Sequence, residues 1–120
     1  MTRILTVDDS PSMRDMVRIA LSGAGFEVTQ ATDGSEALQL ARQHTFDLIL
    51  SDVNMPNMDG IELIRALRAE SAYRHTPILM LTTEGSADRK REGKEAGATG
   101  WIVKPFDPAQ LIATMLRVLR

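Results

Sequence analysis

Four short apolar runs in this 120-residue sequence each end in residues that can carry ionic chemistry. Asp8 and Asp9 follow Ile4-Leu5-Thr6-Val7, and Ser51-Asp52 follows Leu48-Ile49-Leu50. Thr82 and Thr83 follow Ile78-Leu79-Met80-Leu81, and Lys104-Pro105 follows Trp101-Ile102-Val103. One such residue would mean little, because every strand must exit to solvent. Four together describe a site of three carboxylates, a hydroxyl and an ammonium. Asp8, Asp9 and Asp52 bring −3 and Lys104 brings +1, so the set carries −2. Clustered carboxylates repel one another unless protons or a cation intervene. All-oxygen donors with no His or Cys beside them favour a hard cation, Mg2+ first, with Mn2+ or Ca2+ as substitutes. Mg2+ held by few carboxylates keeps exchangeable waters, whose places phosphate oxygens can take. The chemistry this predicts is phosphoryl transfer to an aspartate nucleophile, with Lys104 and the metal neutralising the transferred group.

These residues share a site only if the elements before them share a sheet edge. The four runs are apolar on successive positions, as in parallel strands covered on both faces. Phe26-Glu27-Val28-Thr29-Gln30 alternates instead and predicts an edge strand with one wet face. Helix patterns separate the strands. Met13, Met16, Val17, Ala20 and Leu21 form one stripe, with Ser10 as cap and Pro11 at the first helical position. Gly23 or Gly25 ends that helix. A second helix spans about Ser35 to Arg42. A third starts near Asp59-Gly60 and carries Ile61, Ile64 and Leu67, and a fifth follows Asp107-Pro108 with Leu111, Ile112, Met115 and Leu119 inward. The fourth, Ser86 to Gly97, has only Ala87 and Ala96 as apolar residues and holds Gly93 in its interior. A helix-interior glycine costs about 1 kcal/mol against alanine, so this is predicted to be the least anchored helix and the easiest to shift. The order is (βα)5. Right-handed crossovers then make an α/β, doubly wound, five-stranded parallel sheet, with ligands at the carboxyl ends of its strands.

Composition excludes several functions. Asp plus Glu is 16 against 14 Lys plus Arg, so there is no basic excess to grip a phosphate backbone, and no nucleic-acid partner is expected. Cysteine is absent, which removes disulfides, thiol catalysis and thiolate metal sites. No apolar run approaches a membrane span, and only Arg3 and a brief apolar run follow Met1, unlike a signal peptide. The expectation is a cytoplasmic monomer, one domain over residues 1–120, with no membrane insertion.

The set Asp8-Asp9, Asp52, Thr82 and Lys104-Pro105 resembles, along the whole chain, the receiver domain of two-component response regulators. The stretches Asp8-Asp9-Ser10-Pro11-Ser12-Met13-Arg14 and 97–106 (Gly-Ala-Thr-Gly-Trp-Ile-Val-Lys-Pro-Phe) look most like stand-alone chemotaxis regulators of the CheY type. The resemblance implies a flavodoxin-like strand order, 2-1-3-4-5. It implies that Asp52 accepts a phosphoryl group from a histidine kinase. Asp9, Asp52 and the backbone carbonyl of Asn54 would bind the metal directly, and Asp8 through water. Thr82 would hydrogen-bond the phosphoryl group and move toward it. Lys104 would pair with that group, and the Lys104-Pro105 bond would be cis. Trp101 stands where the family has an aromatic that changes rotamer on activation, and Asn54 and Glu84 match positions that set the lifetime of the aspartyl phosphate. Thr83 is bulkier than the small residue usual there and could narrow access. Trp101 is larger than the usual Tyr, so an inward swing could be harder. The implied protein is no enzyme but a phosphoacceptor switch that assists its own phosphorylation and dephosphorylation. Its partners would be the kinase and a downstream target such as a flagellar switch component, met at the fourth helix, fifth strand and fifth helix.

Other readings exist for the same residues. Asp8-Asp9 alone could start a helix, Asp52 a turn, and Trp101 could be packing. His44 and His75 have no partners at ligand spacing, and Met13, Met16 and Met115 are read as core. An Asp-nucleophile phosphatase would place a second carboxylate two residues after its nucleophile, where this chain has Asn54. A flavodoxin-like electron carrier would need a first loop that accepts phosphate, which Asp8 and Asp9 repel. A phosphate sink for the kinase shares the site and differs only in output. An unphosphorylated scaffold would not need the intact set.

Overall fold

The computed structural model describes residues 1–83 and 87–119. The elements run β1 (Arg3–Val7), α1 (Pro11–Gly23), β2 (Glu27–Ala31), α2 (Gly34–Gln43), β3 (Leu48–Asp52), α3 (Gly60–Arg68), β4 (Ile78–Thr82), α4 (Ala87–Ala96), β5 (Gly100–Val103) and α5 (Pro108–Val118). A single 3-10 turn, Ser71–Tyr73, intervenes between α3 and β4. All strands pair in parallel, in the order β2-β1-β3-β4-β5. This is the flavodoxin-like order that the resemblance implies. The strand order reverses at β1, so the crevice between the ends of β1 and β3 is the place where such sheets bind ligands.

Alternation along each strand divides the core. Leu5, Val7, Ile49, Ile78 and Met80 face α2, α3 and α4. Ile4, Leu48, Leu50, Leu79 and Leu81 face α1 and α5. Every residue of β3 and β4 is buried, as continuous apolar runs require. Side-chain oxygens start the helices: the Met13 N–H donates to Ser10 Oγ, the Glu36 N–H to Asp33 and the Ala109 N–H to Asp107. Asp59 and Glu62 form a reciprocal capping box on α3.

Three details depart from the sequence reading. Met16 is 52% exposed and is not core. It precedes the buried Val17 by one residue, about 100° around the helix, which carries it past the rim of the buried arc. The run Trp101–Val103 is an edge strand rather than one covered on both faces, and Val103 is exposed. Gly93 does more than weaken α4. A Cβ there would stand 2.5 Å from Met80 Sδ, so the missing side chain lets the helix lie close on β4. Helix α4 begins at Ala87; the Ser86 start falls outside the described residues.

Candidate phosphoacceptor site

Asp8, Asp52, Thr82 and Lys104 arrive at one edge because their strands are parallel and in register. Val7 pairs with Ser51, Asp52 with Leu81, and Thr82 with Val103. The Lys104 N–H then donates to the Thr82 carbonyl at 2.6 Å, which ties the last strand end to its neighbour. The Lys104–Pro105 bond is cis.

Asp8 is buried. Its Oδ1 accepts the Ser10 N–H at 2.9 Å, and its own N–H donates to Ala31 O at 3.1 Å. Arg14 Nη1 donates to the Asp8 carbonyl at 2.8 Å, fixing the backbone behind the carboxylate. Asp52 Oδ1 accepts the Val53 N–H at 2.8 Å. Gly60 closes over this turn: its N–H donates to Val53 O at 2.8 Å, and a Cβ at that position would collide with the Asp52 carbonyl oxygen. The start of α3 can therefore press on the end of β3 only because residue 60 has no side chain.

Lys104 Nζ bridges the two inner carboxylates, 3.3 Å from Asp8 Oδ2 and 3.2 Å from Asp52 Oδ1. Burial pushes the Asp52 carboxyl above the usual carboxylate range; Lys104 pulls it back, and the Asp8 charge pushes it further up. Asp9 lies exposed at the rim. Carboxylate oxygens of Asp8, Asp9 and Asp52 lie within 4.8 Å of one another. Oxygens on one octahedral Mg2+ stand about 3–4 Å apart, so this all-oxygen donor set has the right scale and hardness for that ion.

Thr82 is buried at the end of β4, and Thr83 beyond it is exposed. Trp101 is half-buried against the α2–α3–α4 core, beside Met80, and Lys90 Nζ of α4 stands 5.3 Å from its ring centroid. Ile102 points to the α1–α5 side. Asn54 is exposed just past Asp52, and Glu84 lies outside the described residues.

Two contributors escaped the sequence reading. Arg14 was one of several helical arginines, with nothing in its spacing to pair it with Asp8. Arg89 read as one charge on a solvated helix, yet its guanidinium reaches Asn54 Oδ1 at 3.4 Å and Asp59 Oδ2 at 3.6 Å. Both contacts depend on tertiary approach.

The family model for the response regulator receiver domain matches residues 4–116. The chain is 43% identical over 110 residues to chemotaxis protein CheY-3 of Vibrio cholerae serotype O1, spanning 91% of this chain and 85% of that one. It is 42% identical over 118 residues to the DNA-binding response regulator MtrA of Mycolicibacterium smegmatis, spanning 98% of this chain but 50% of that protein. The solved structure of the chemotaxis response regulator CheY4 of Vibrio cholerae superposes with a TM-score of 0.94 at 56% identity, over 98% of both chains. Since family model, relatives and fold agree across nearly the whole length, this chain belongs to the response regulator receiver domains and stands close to the CheY proteins among them.

Proposed function

We propose that residues 1–120 form a receiver domain that works as a phosphorylation-controlled binding switch, with Asp52 as acceptor and a histidine kinase as donor. The observation that carries this is the Lys104 bridge. A single ammonium contacts two of three clustered carboxylates, at 3.2 and 3.3 Å, and leaves the set two charges negative.

In the reaction an Asp52 oxygen forms a bond to phosphorus while the bond from phosphorus to the donor imidazole breaks, and the departing imidazole nitrogen keeps the electron pair and takes a proton from solvent. Asp52 suits this role because burial raises its basicity and the Val53 N–H fixes its plane. Lys104 can turn from Asp8 toward the arriving phosphoryl oxygens without leaving Asp52. Thr82 ends the adjacent strand, and its hydroxyl would donate to them. Asp9, Asp52 and the Asn54 carbonyl would hold Mg2+, with Asp8 acting through water. When bound, the ion offsets the charge that builds on the phosphoryl oxygens.

The output surface we assign is α4, β5 and α5, where Lys90 covers Trp101 and Val103 is exposed. Similarity to CheY proteins supports a place in chemotaxis or motility signalling, with a flagellar switch component as target. It equally suits a sink that drains its kinase. From the likeness to CheY proteins we read the protein as a cytoplasmic monomer. Separately, no helix among the described residues is long and apolar enough to cross a membrane.

The test is labelling. A phosphohistidine donor or acetyl phosphate with Mg2+ should add one acid-labile phosphoryl group to the wild type and none to Asp52→Asn. Equal, acid-stable labelling of both would place the acceptor on a hydroxyl and overturn the proposal.

A further inference from the structure

Arg89 is the third residue of α4, and its guanidinium crosses to the loop that joins β3 to α3. Nη2 lies 3.4 Å from Asn54 Oδ1 and 3.6 Å from Asp59 Oδ2, while Nη1 lies 3.4 Å from Glu92 Oε2. Asn54 and Asp59 lie toward the two ends of that loop, the first two residues past Asp52 and the second the cap of α3. Asp59 uses Oδ1 for the Glu62 N–H, which leaves Oδ2 for the arginine. Since a guanidinium can only donate, the atom of Asn54 that faces it must be the amide oxygen.

This orientation has a chemical result. An amide offers one acceptor oxygen, with two lone pairs, and on the opposite branch two N–H donors. With its oxygen drawn to Arg89 on the α4 side, Asn54 has its two N–H groups left to offer the phosphoacceptor mouth. Those can donate to phosphoryl oxygens. They cannot take the hydrogen of a water and so cannot aim that water at phosphorus. We infer that Arg89 is a positioning residue of the phosphoryl site: it holds Asn54 in a donor-only pose and thereby slows hydrolysis of the aspartyl phosphate. In that hydrolysis a water oxygen bonds to phosphorus as the bond to the Asp52 carboxylate breaks. Asp52 regains its charge and the water's protons leave with inorganic phosphate or solvent. Arg89 touches neither phosphorus nor the water; it acts through Asn54.

The inference rests on the reading of Asp52 as acceptor, and the experiment separates the two. Wild type, Arg89→Met, Arg89→Lys, Asn54→Ala and the Asn54→Ala/Arg89→Met double variant are loaded with acetyl phosphate and Mg2+. The donor is then removed and the decay of the phosphorylated form is followed by intact mass. Loss of one charged hydrogen bond at this length corresponds to about a fivefold change, so Arg89→Met should decay about five times faster than wild type. Arg89→Lys, which keeps a donor, should fall between them. In the Asn54→Ala background, Arg89→Met should change nothing. Wild type and Arg89→Met decaying equally would overturn the inference, as would an equal acceleration with and without Asn54. Thermal unfolding of each variant identifies any that does not fold, and the Arg89→Lys comparison then carries the test. A wild type that takes no label overturns the acceptor reading and this inference with it.

Discussion

Replacing Asp52 by Asn should make the metal-free protein more stable, and the site geometry sets the size of the effect. Lys104 Nζ at 3.2 Å attracts the Asp52 carboxylate, by about 5 kcal/mol at an effective dielectric of about 20. Asp8, within 4.8 Å, repels it by about 3.5 kcal/mol on the same scale. Asp9 is exposed and adds about 1 kcal/mol through water. These contributions nearly cancel. What remains is the cost of holding a carboxylate that is 9% exposed away from water, with one backbone N–H in compensation. We put it at about 1–2 kcal/mol. Asn removes the charge and can keep the Val53 bond through its own oxygen. The variant should therefore melt roughly 4–8 °C higher in excess chelator near neutral pH. The pH dependence has a definite sign. The folded-state pKa of Asp52 is raised, so the charged form is the costly one. Its penalty is full above that raised value and is gone below the unfolded value of about 3.9. The advantage of Asp52→Asn must shrink as the solution is acidified, and excess Mg2+ must narrow it from the other side by stabilising the wild type more. A variant no more stable than wild type in chelator, or a gap that widens toward acid, would refute the reasoning.

Gly60→Ala should lose several degrees of melting temperature and slow phosphorylation, because its Cβ collides with the Asp52 carbonyl; a silent substitution in both assays would show that α3 can retreat freely. Arg68 uses all five N–H groups, on the carbonyls of Gly97, Tyr73 and Thr76 and on Thr99 Oγ1. Arg68→Met should cost on the order of 3 kcal/mol in denaturant unfolding, Arg68→Lys should recover little of it, and a loss under about 1 kcal/mol would mean that water replaces the fork. Thr83 lies exposed next to Thr82; if its bulk narrows access, Thr83→Ala should speed phosphorylation, dephosphorylation or both in stopped-flow measurements and leave Mg2+ affinity unchanged, and unaltered rates would mean that the side chain points away from the site. Trp101 is the sole tryptophan, and its emission should shift on adding Mg2+ and acetyl phosphate beyond the shift from Mg2+ alone. Asp52→Asn should show only the metal step, and a phosphorylated wild type with unaltered emission would make Trp101 a packing residue.

The site was legible because strand ends are marked twice, by the end of an apolar run and by the ionisable residue after it. Asp8, Asp52, Thr82 and Lys104 carry that double mark; Lys104 joins Asp8 and Asp52, and Thr82 ends the strand beside them. Helix starts were legible for a similar reason, since Ser10, Asp59 and Asp107 cap where the period begins. Strand order was not. Periodicity says that β1 is covered on both faces, not which strand lies beside it, and the order came from the family resemblance. Packing against a particular neighbour was equally invisible. Nothing around Gly93 announces Met80, and nothing around Arg68 announces the carbonyls it gathers. Met16 shows the limit of the helical stripe, whose rim positions are settled by how closely the next element approaches.

Among the described residues the contacts at the two ends of α4 differ in kind, and a helix held so would act as a lever. Its tail is a pivot. Gly97 N–H donates to Gly93 O and Lys94 O, Gly97 O takes two N–H groups of Arg68, and Gly93 is pressed against Met80. Near its head, the described cross-contacts include Arg89 on the loop after Asp52 and Lys90 over Trp101. A ten-residue helix is about 15 Å long. Turning it by about 10° on its tail would carry the head by about 2.5 Å while the tail barely moves. That travel is close to the difference between a made and a broken hydrogen bond. Neighbouring side chains on one moving arm would thus sense the loop after Asp52 and the tryptophan in a single stroke, with the sheet beneath as the stationary frame.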